Sequence, residues 1–448
     1  MKIYTREQLL NENYPYGKSA EGIPMGDPDK EIFRTNPDVV VFDPKGIEDY
    51  TGDNEHMLVF NAPLSDELLA IWTQSSCEGT GNNHIVIARS EDGRKWGEPV
   101  YVIGTKKGEL FHQASWAFPV VSKKGRLYIF YTKQLEVHDN HHCGSGGLGC
   151  IYSNDNGYTW SQEHTLPMIS SRFDNPDHKY PKNWIVWQKP IRDQNDKHLV
   201  GYTLITSLAH HVTDPTPNRW VNQDSRCYFM RFENIDENPP PDEIKITWLP
   251  DEDKGIEVQN KLLPFMSTAQ EPAIVLLPNG HLFCIMRSMT GYVQYTISED
   301  DGHTWRDAAP LRFKDDSEFV LHPMSPCPLY RISDELYLIA YHNNSGERMG
   351  FSQWAEEWSL NIANYYRNPL YISIGKFNGD SRQLLEFGKP YKLLDSDDIA
   401  VGPKKTAETG TYTSMTERKG ELFFWYPDRK YYLLGKEIKQ DLISQIKP

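Results

Sequence analysis

Ser153-Asn154-Asp155-Asn156-Gly157-Tyr158-Thr159-Trp160 reads as a tight turn spelled out in side chains. The Asp accepts hydrogen bonds from turn amides, Gly supplies a positive φ, and the Trp packs under the loop. The pattern S-x-D-x-G-x-T-W returns at Ser298-Glu299-Asp300-Asp301-Gly302-His303-Thr304-Trp305. A version one residue shorter stands at Ser90-Glu91-Asp92-Gly93-Arg94-Lys95-Trp96. Recurrence of one turn at long intervals marks a repeat architecture, which overrides the two or three domains that 448 residues would otherwise suggest.

Each turn follows an apolar strand: His84 to Arg89, Gly149 to Tyr152, and Val293 to Ile297. A second unit, two short apolar runs around a polar turn, occurs six times. Its copies are Met57–Phe60 with Leu68–Trp72, Phe118–Val121 with Leu127–Tyr131, and Pro190–Arg192 with Leu199–Tyr202. The others are Glu271–Val275 with Leu282–Arg287, Cys327–Tyr330 with Leu336–Tyr341, and Ser414–Thr416 with Leu422–Tyr426. These read as first and second strands of blades, with the S-x-D turns joining third to fourth strands. The expectation is an all-β propeller of six or seven four-stranded antiparallel blades, one domain over 1–448 with an N-terminal extension at 1–36. Val39-Val40-Val41-Phe42 is a spare strand, expected to pair with the last blade and close the ring. Residues 378–410, charged and dotted with Gly and Pro, read as an insertion or a degenerate blade.

A net charge of −15 leaves no basic excess for phosphates, so nucleic acid and anionic membranes are not expected partners. The first thirty residues carry no apolar h-region and no run is long enough to span a bilayer, which favours a cytoplasmic location. Six cysteines in so long a chain read as free thiols or ligands. His138, His141, His142 and Cys143, with Cys150, make a candidate zinc site; beyond a structural zinc or calcium ion, no cofactor is required by the chemistry below.

In a propeller, inner-strand starts and second-to-third-strand loops converge on one face. That rule gathers His56, His112, Gln113, Glu271, Asn83, His84, Arg226, Arg287, His342 and Asn343, with Tyr202 on a strand leading there. Singly, each reads as a loop cap; together they suit an anionic oligosaccharide, because Arg offers a carboxylate a bidentate fork.

The turns resemble the Asp boxes (BNR repeats) of sialidase-like propellers, over nearly the whole chain. That resemblance implies a Tyr nucleophile with a Glu partner and an Arg triad opening on an F-R-I-P-like motif. Phe33-Arg34-Thr35-Asn36-Pro37 matches that motif loosely, with one extra residue. A closer resemblance is to the propeller enzymes of rhamnose–glucuronate linkages and ulvan: lyases and α-L-rhamnosidases. It is carried by Asn54-Glu55-His56, Ala70 to Gln74, Asn82-Asn83-His84, His112, Met324 to Pro328 and Tyr341-His342-Asn343-Asn344. It implies a lyase that splits L-rhamnose from glucuronate by β-elimination, with His84, His112, Tyr202 and Arg226 as its catalytic set. His56, Asn83, Gln113, Arg287, His342 and Asn343 would then bind substrate. The rival readings are an α-L-rhamnosidase, a sialidase-type exo-glycosidase, and a glycan-binding propeller without catalysis.

Overall fold

A computed structural model of the chain describes residues 24–44, 50–109, 112–135, 144–210, 224–259, 266–344 and 366–448. The metal candidates His138, His141, His142 and Cys143 lie outside the described residues. Cys77, Cys150, Cys227, Cys284 and Cys327 are free thiols.

Six antiparallel sheets follow one another along the chain. β1 (Val39–Phe42) comes first and is set aside. Blade one is β2 (Asp53–Asn61), β3 (Leu68–Ser75), β4 (His84–Ser90) and β5 (Val100–Gly104). Blade two is β6 (Ala114–Val121), β7 (Leu127–Gln134), β8 (Gly146–Ser153) and β9 (His164–Leu166). In blade three the inner strand is split into β10 (Trp184–Ile185) and β11 (Ile191–Arg192), both paired with β12 (His198–Ile205). β13 (Ser225–Phe232) and β14 (Ile246–Leu249) complete it.

Blade four runs β15 (Gln270–Leu276), β16 (Leu282–Arg287), β17 (Gln294–Ser298) and β18 (Ala309–Pro310). Blade five is β19 (Leu329–Arg331), β20 (Leu336–Tyr341) and β21 (Leu370–Phe377), edged by β22 (Leu385–Phe387) and β23 (Tyr391–Leu394). Blade six is β24 (Ser414–Arg418), β25 (Glu421–Asp428) and β26 (Tyr432–Glu437), with β1 as its fourth strand.

The first strand of the chain therefore closes the last blade, and six blades make the ring. Residues 378–410 are not a seventh blade. Their first half supplies the outer strands of blade five, and the rest returns toward the axis.

All three S-x-D turns join a third strand to a fourth and are built as the sequence implies. Ser153 Oγ accepts from Gly157 N at 2.7 Å and Asp155 Oδ1 from Thr159 N at 2.9 Å. Ser298 and Asp300 repeat both contacts, and Ser90 and Asp92 do so in the shorter turn. The turn tryptophans also staple neighbouring blades. Trp305 stacks on Phe229 of blade three at 4.7 Å, and Trp96 meets Trp425 of blade six edge-on at 5.5 Å. Among the described residues no helix is long and apolar enough to cross a membrane.

Candidate functional site

The inner strands carry a repeated irregularity. Register slips at Glu55/Leu58 in β2, Ser115/Phe118 in β6 and Gln270/Ala273 in β15. Each bulge holds a non-glycine residue at positive φ: His56 at 57°, Trp116 at 51° and Glu271 at 50°. Tyr412, just before inner strand β24, joins them at 61°. A left-handed conformation costs such residues roughly 1–2 kcal/mol each, so the surrounding structure must hold them there. A threonine of the preceding blade does so twice. Trp116 N donates to Thr73 Oγ1 at 2.8 Å, and Glu271 N to Thr203 Oγ1 at 2.7 Å. Bulges re-aim side chains, and these three, with the positive φ of Tyr412, bring the four side chains into one cluster.

The result is a compact polar and aromatic cluster on the axis. The Tyr412 hydroxyl donates to Glu271 Oε1 at 3.1 Å. Arg287 Nη1, from the end of β16, donates to both Glu271 oxygens at 2.9 Å and lies 3.4 Å from the Tyr412 oxygen. The His56 ring stacks on Tyr412 at 3.9 Å and lies 5.5 Å from Trp116. Trp187, carried by the gap between β10 and β11, meets Tyr412 at 6.4 Å. Burial, with the charge of Glu271 beside it, pushes the Tyr412 phenol above its ordinary value. Burial, Lys430 and Arg287 together hold His56 well below the usual imidazole range, so it is neutral.

A belt of ion pairs continues from this cluster. Lys430 Nζ lies over the Tyr412 ring and donates to Glu55 at 2.7 Å and Glu78 at 2.8 Å. Lys404 also pairs with Glu78. Arg367 donates to Glu408 at 2.9 Å and to the Met324 carbonyl. Asp53 is fully buried; burial and the neighbouring Glu55 push its carboxyl up to about 7. Lys430 owes its place to a tight turn in which Arg429 and Lys430 both take positive φ.

The residues expected from sequence divide sharply. His56 and Arg287 are at the centre. His84 caps its loop, its ring facing Asn82 O at 3.1 Å and Gln74 Oε1 at 3.3 Å. His112 is exposed, and among the described residues no hydrogen bond or ring contact joins it to His84. Tyr202 packs in the core, stacked on Tyr228 at 5.6 Å and edge-on to Trp184 and Trp248. Arg226 is committed to Asp224 and Glu257 and lies over Phe173. Asn83 donates to Ser115 Oγ and Gln113 to Gln134 Oε1, so both tie backbone segments together. His342 stacks on His322 at 5.6 Å and faces Ser325 Oγ, with Asn343 at positive φ beside it. Arg34, in the loose F-R-I-P match, pairs with Glu31 and Asp397 and takes no part in the cluster.

Sequence reading missed Tyr412. The rule that singled out inner-strand starts would have reached it, since Thr411-Tyr412-Thr413 leads directly into β24.

With this geometry in view, the comparison with known proteins is specific about fold. Residues 66–387 match the pattern of the BNR repeat-like domain. The chain belongs to the BNR repeat-like family. Its ring is that of sialidase-like propellers. A Dyadobacter fermentans protein of unknown function is similar at 12% identity and TM-score 0.57, covering 90% of this chain and 97% of that one. The intramolecular trans-sialidase of Ruminococcus gnavus is similar at 13% and 0.56, covering 91% and 98%. NanB sialidase of Streptococcus pneumoniae is similar at 10% and 0.56, covering 91% and 71%. Identities this low speak for a shared fold alone. No curated protein sequence matches the chain.

Proposed function

We propose that this BNR propeller is a glycan-active enzyme of the exo-glycoside hydrolase type, with Tyr412 as nucleophile and Glu271 as its base. The observation that carries the reading is the 3.1 Å hydrogen bond from the Tyr412 hydroxyl to Glu271 on the propeller axis, with Arg287 bound to the same carboxylate. A phenol whose pKa is raised attacks only if a base takes its proton as the new bond forms. Glu271 is placed to do so. Tyr412 Oη would bond to the anomeric carbon as the glycosidic C–O bond breaks, its proton passing to Glu271. The leaving oxygen needs a proton in the same step, and Asp53 holds one near neutral pH. Water would then attack the tyrosyl glycoside, giving its proton to Asp53, while Glu271 returns its own to the phenolate. Arg287 steadies the developing charge, and the buried Trp116, Trp187 and His56 rings wall the cluster. No cofactor is needed in this scheme, because side chains supply the nucleophile and every proton.

An anionic sugar substrate is a finer reading. Arg287 and Arg367 could meet its carboxylate, but each already faces a protein carboxylate, so an acidic sugar would share Arg287 with Glu271. The β-elimination alternative drew on His84, His112, Tyr202 and Arg226; the packing of Tyr202 against Tyr228 and Trp184, and the pairing of Arg226 with Asp224 and Glu257, support hydrolysis over it. The test is a set of chromogenic aryl glycosides, acidic and neutral. Release of aglycone with free sugar, lost in Tyr412→Phe, supports the proposal. An unsaturated uronate absorbing near 235 nm would replace it with the lyase, and binding without turnover with a lectin-like role.

A further inference from the structure

On the far side of the Tyr412–Glu271 cluster, the axis opens into a cavity of about 360 Å³ between the inner strands of blades three to six. Gln188, Lys189, Ile274, Leu329, Ser414 and Met415 are among the residues lining it. Lys189 leaves the break between β10 and β11 and crosses the axis. Its Nζ donates to the Val59 carbonyl of β2 at 2.6 Å and to the Met415 carbonyl of β24 at 2.7 Å. Inner strands are sheet edges, and carbonyls turned away from the sheet need donors. Lys189 answers two of them and keeps a third N–H.

What Lys189 lacks is a counter-ion. Among the described residues it makes no ion pair, unlike Lys404, Lys430, Arg287 and Arg367 in the belt above. Burial lowers its pKa to about 8, which still leaves it charged at neutral pH. An ammonium drawn part-way out of water without an opposing charge is costly. Two further donors share the same wall. Gln188 is 5% exposed, and among the described residues its Nε2 finds no acceptor. Ser414 Oγ accepts from Val59 N at 2.9 Å, which leaves its own hydroxyl proton to give. The carboxylate at the rim, Glu417, is exposed and engaged with Gly420 N.

We propose that this cavity binds a small monovalent inorganic anion of the halide class, held by Lys189 Nζ with the Gln188 amide and the Ser414 hydroxyl. The ion supplies the charge that Lys189 lacks and ties blade three to blade six, while Lys189 itself reaches blade one through the Val59 carbonyl. The site is independent of the glycosidase reading, since it uses none of the same residues.

The probe is bromide, titrated into the full chain in place of gluconate at constant ionic strength and followed by thermal melting. Ligand bound only to the folded form raises the melting temperature; at a hundredfold excess over Kd the expected rise is about 3 °C for a chain this long. A crystal grown in bromide should show an anomalous peak beside Lys189 Nζ. Lys189→Met should melt at one temperature whatever the bromide concentration. Should that variant fail to fold, Gln188→Leu replaces it, and bromide should then bind about fivefold more weakly, the loss of one hydrogen bond. A wild-type melting temperature indifferent to bromide overturns the proposal. So does a variant that titrates as wild type does, or an anomalous peak elsewhere.

Discussion

Glu271→Gln separates what the cluster does for stability from what it does for chemistry. Arg287 and Glu271 are 0% and 1% exposed, and one guanidinium nitrogen touches both carboxylate oxygens. Removing one partner of such a buried pair costs about 3–5 kcal/mol. The Gln carbonyl keeps one acceptor for Arg287, so the lower end, about 3 kcal/mol, is expected. For a chain of this length that is a fall in melting temperature of about 3 °C. The kinetic effect is far larger. Without a base for the Tyr412 proton, kcat should drop by about 10²–10⁴. Adding Arg287→Met removes the orphaned charge, and the double variant should regain most of the lost stability while remaining inactive. Differential scanning calorimetry and initial rates on a chromogenic glycoside measure the two effects on the same samples. A Glu271→Gln enzyme that keeps kcat within tenfold of wild type refutes the assignment of Glu271 as base. Activity returning with stability in the double variant would make the pair a purely structural one.

Tyr412→Phe removes one oxygen and one hydrogen bond, so stability should change by about 1 kcal/mol while kcat falls to background; calorimetry and kinetics check both. The pH dependence follows Asp53, whose folded pKa of about 7 exceeds an unfolded value near 3.9. As the acid, it supports activity while protonated, and kcat should decline as pH rises through 7. The stability linked to its proton is likewise full below about pH 4 and lost as pH rises through 7. Asp53→Asn should abolish that limb in both the rate profile and the melting profile. Tyr202→Phe and Arg226→Lys should leave kcat within a few fold of wild type, since both side chains are committed elsewhere; a collapse of kcat in either, with folding intact, would restore the elimination mechanism.

The propeller was legible because its signals are local. Asp155 and Asp300 announce their turns by spacing alone, and the period-two apolar runs beside them mark strands wherever a sheet face is buried. The spare strand Val39–Phe42 was legible for a related reason: a sheet edge needs a partner. The site was legible only in part. His56, Glu271 and Arg287 stand where the topology rule looks, at inner-strand starts and the end of a second strand. Tyr412 does not stand out, because the chain reaches it through 395–411, a stretch without strand alternation. What sets His56 and Glu271 apart from His84 and His112 is a bulge with positive φ, held at Glu271 by a threonine one blade away. Thr73 and Thr203 carry no mark in the sequence that links them to Trp116 and Glu271. Tyr202 shows the converse. Its place near the end of a second strand looked functional, yet alternation turns it into the core between Trp184, Tyr228 and Trp248.

The central claim is a covalent bond to one oxygen, and it can be weighed. The wild-type enzyme is mixed with an activated fluorinated glycoside, whose fluorine slows breakdown of a glycosyl–enzyme intermediate, and intact mass is recorded before and after proteolysis. The account predicts a gain of one fluoroglycosyl unit, carried by the peptide that contains Tyr412 and absent from Tyr412→Phe. Turnover of the parent glycoside with no such adduct, or with the sugar on any other residue, would contradict it.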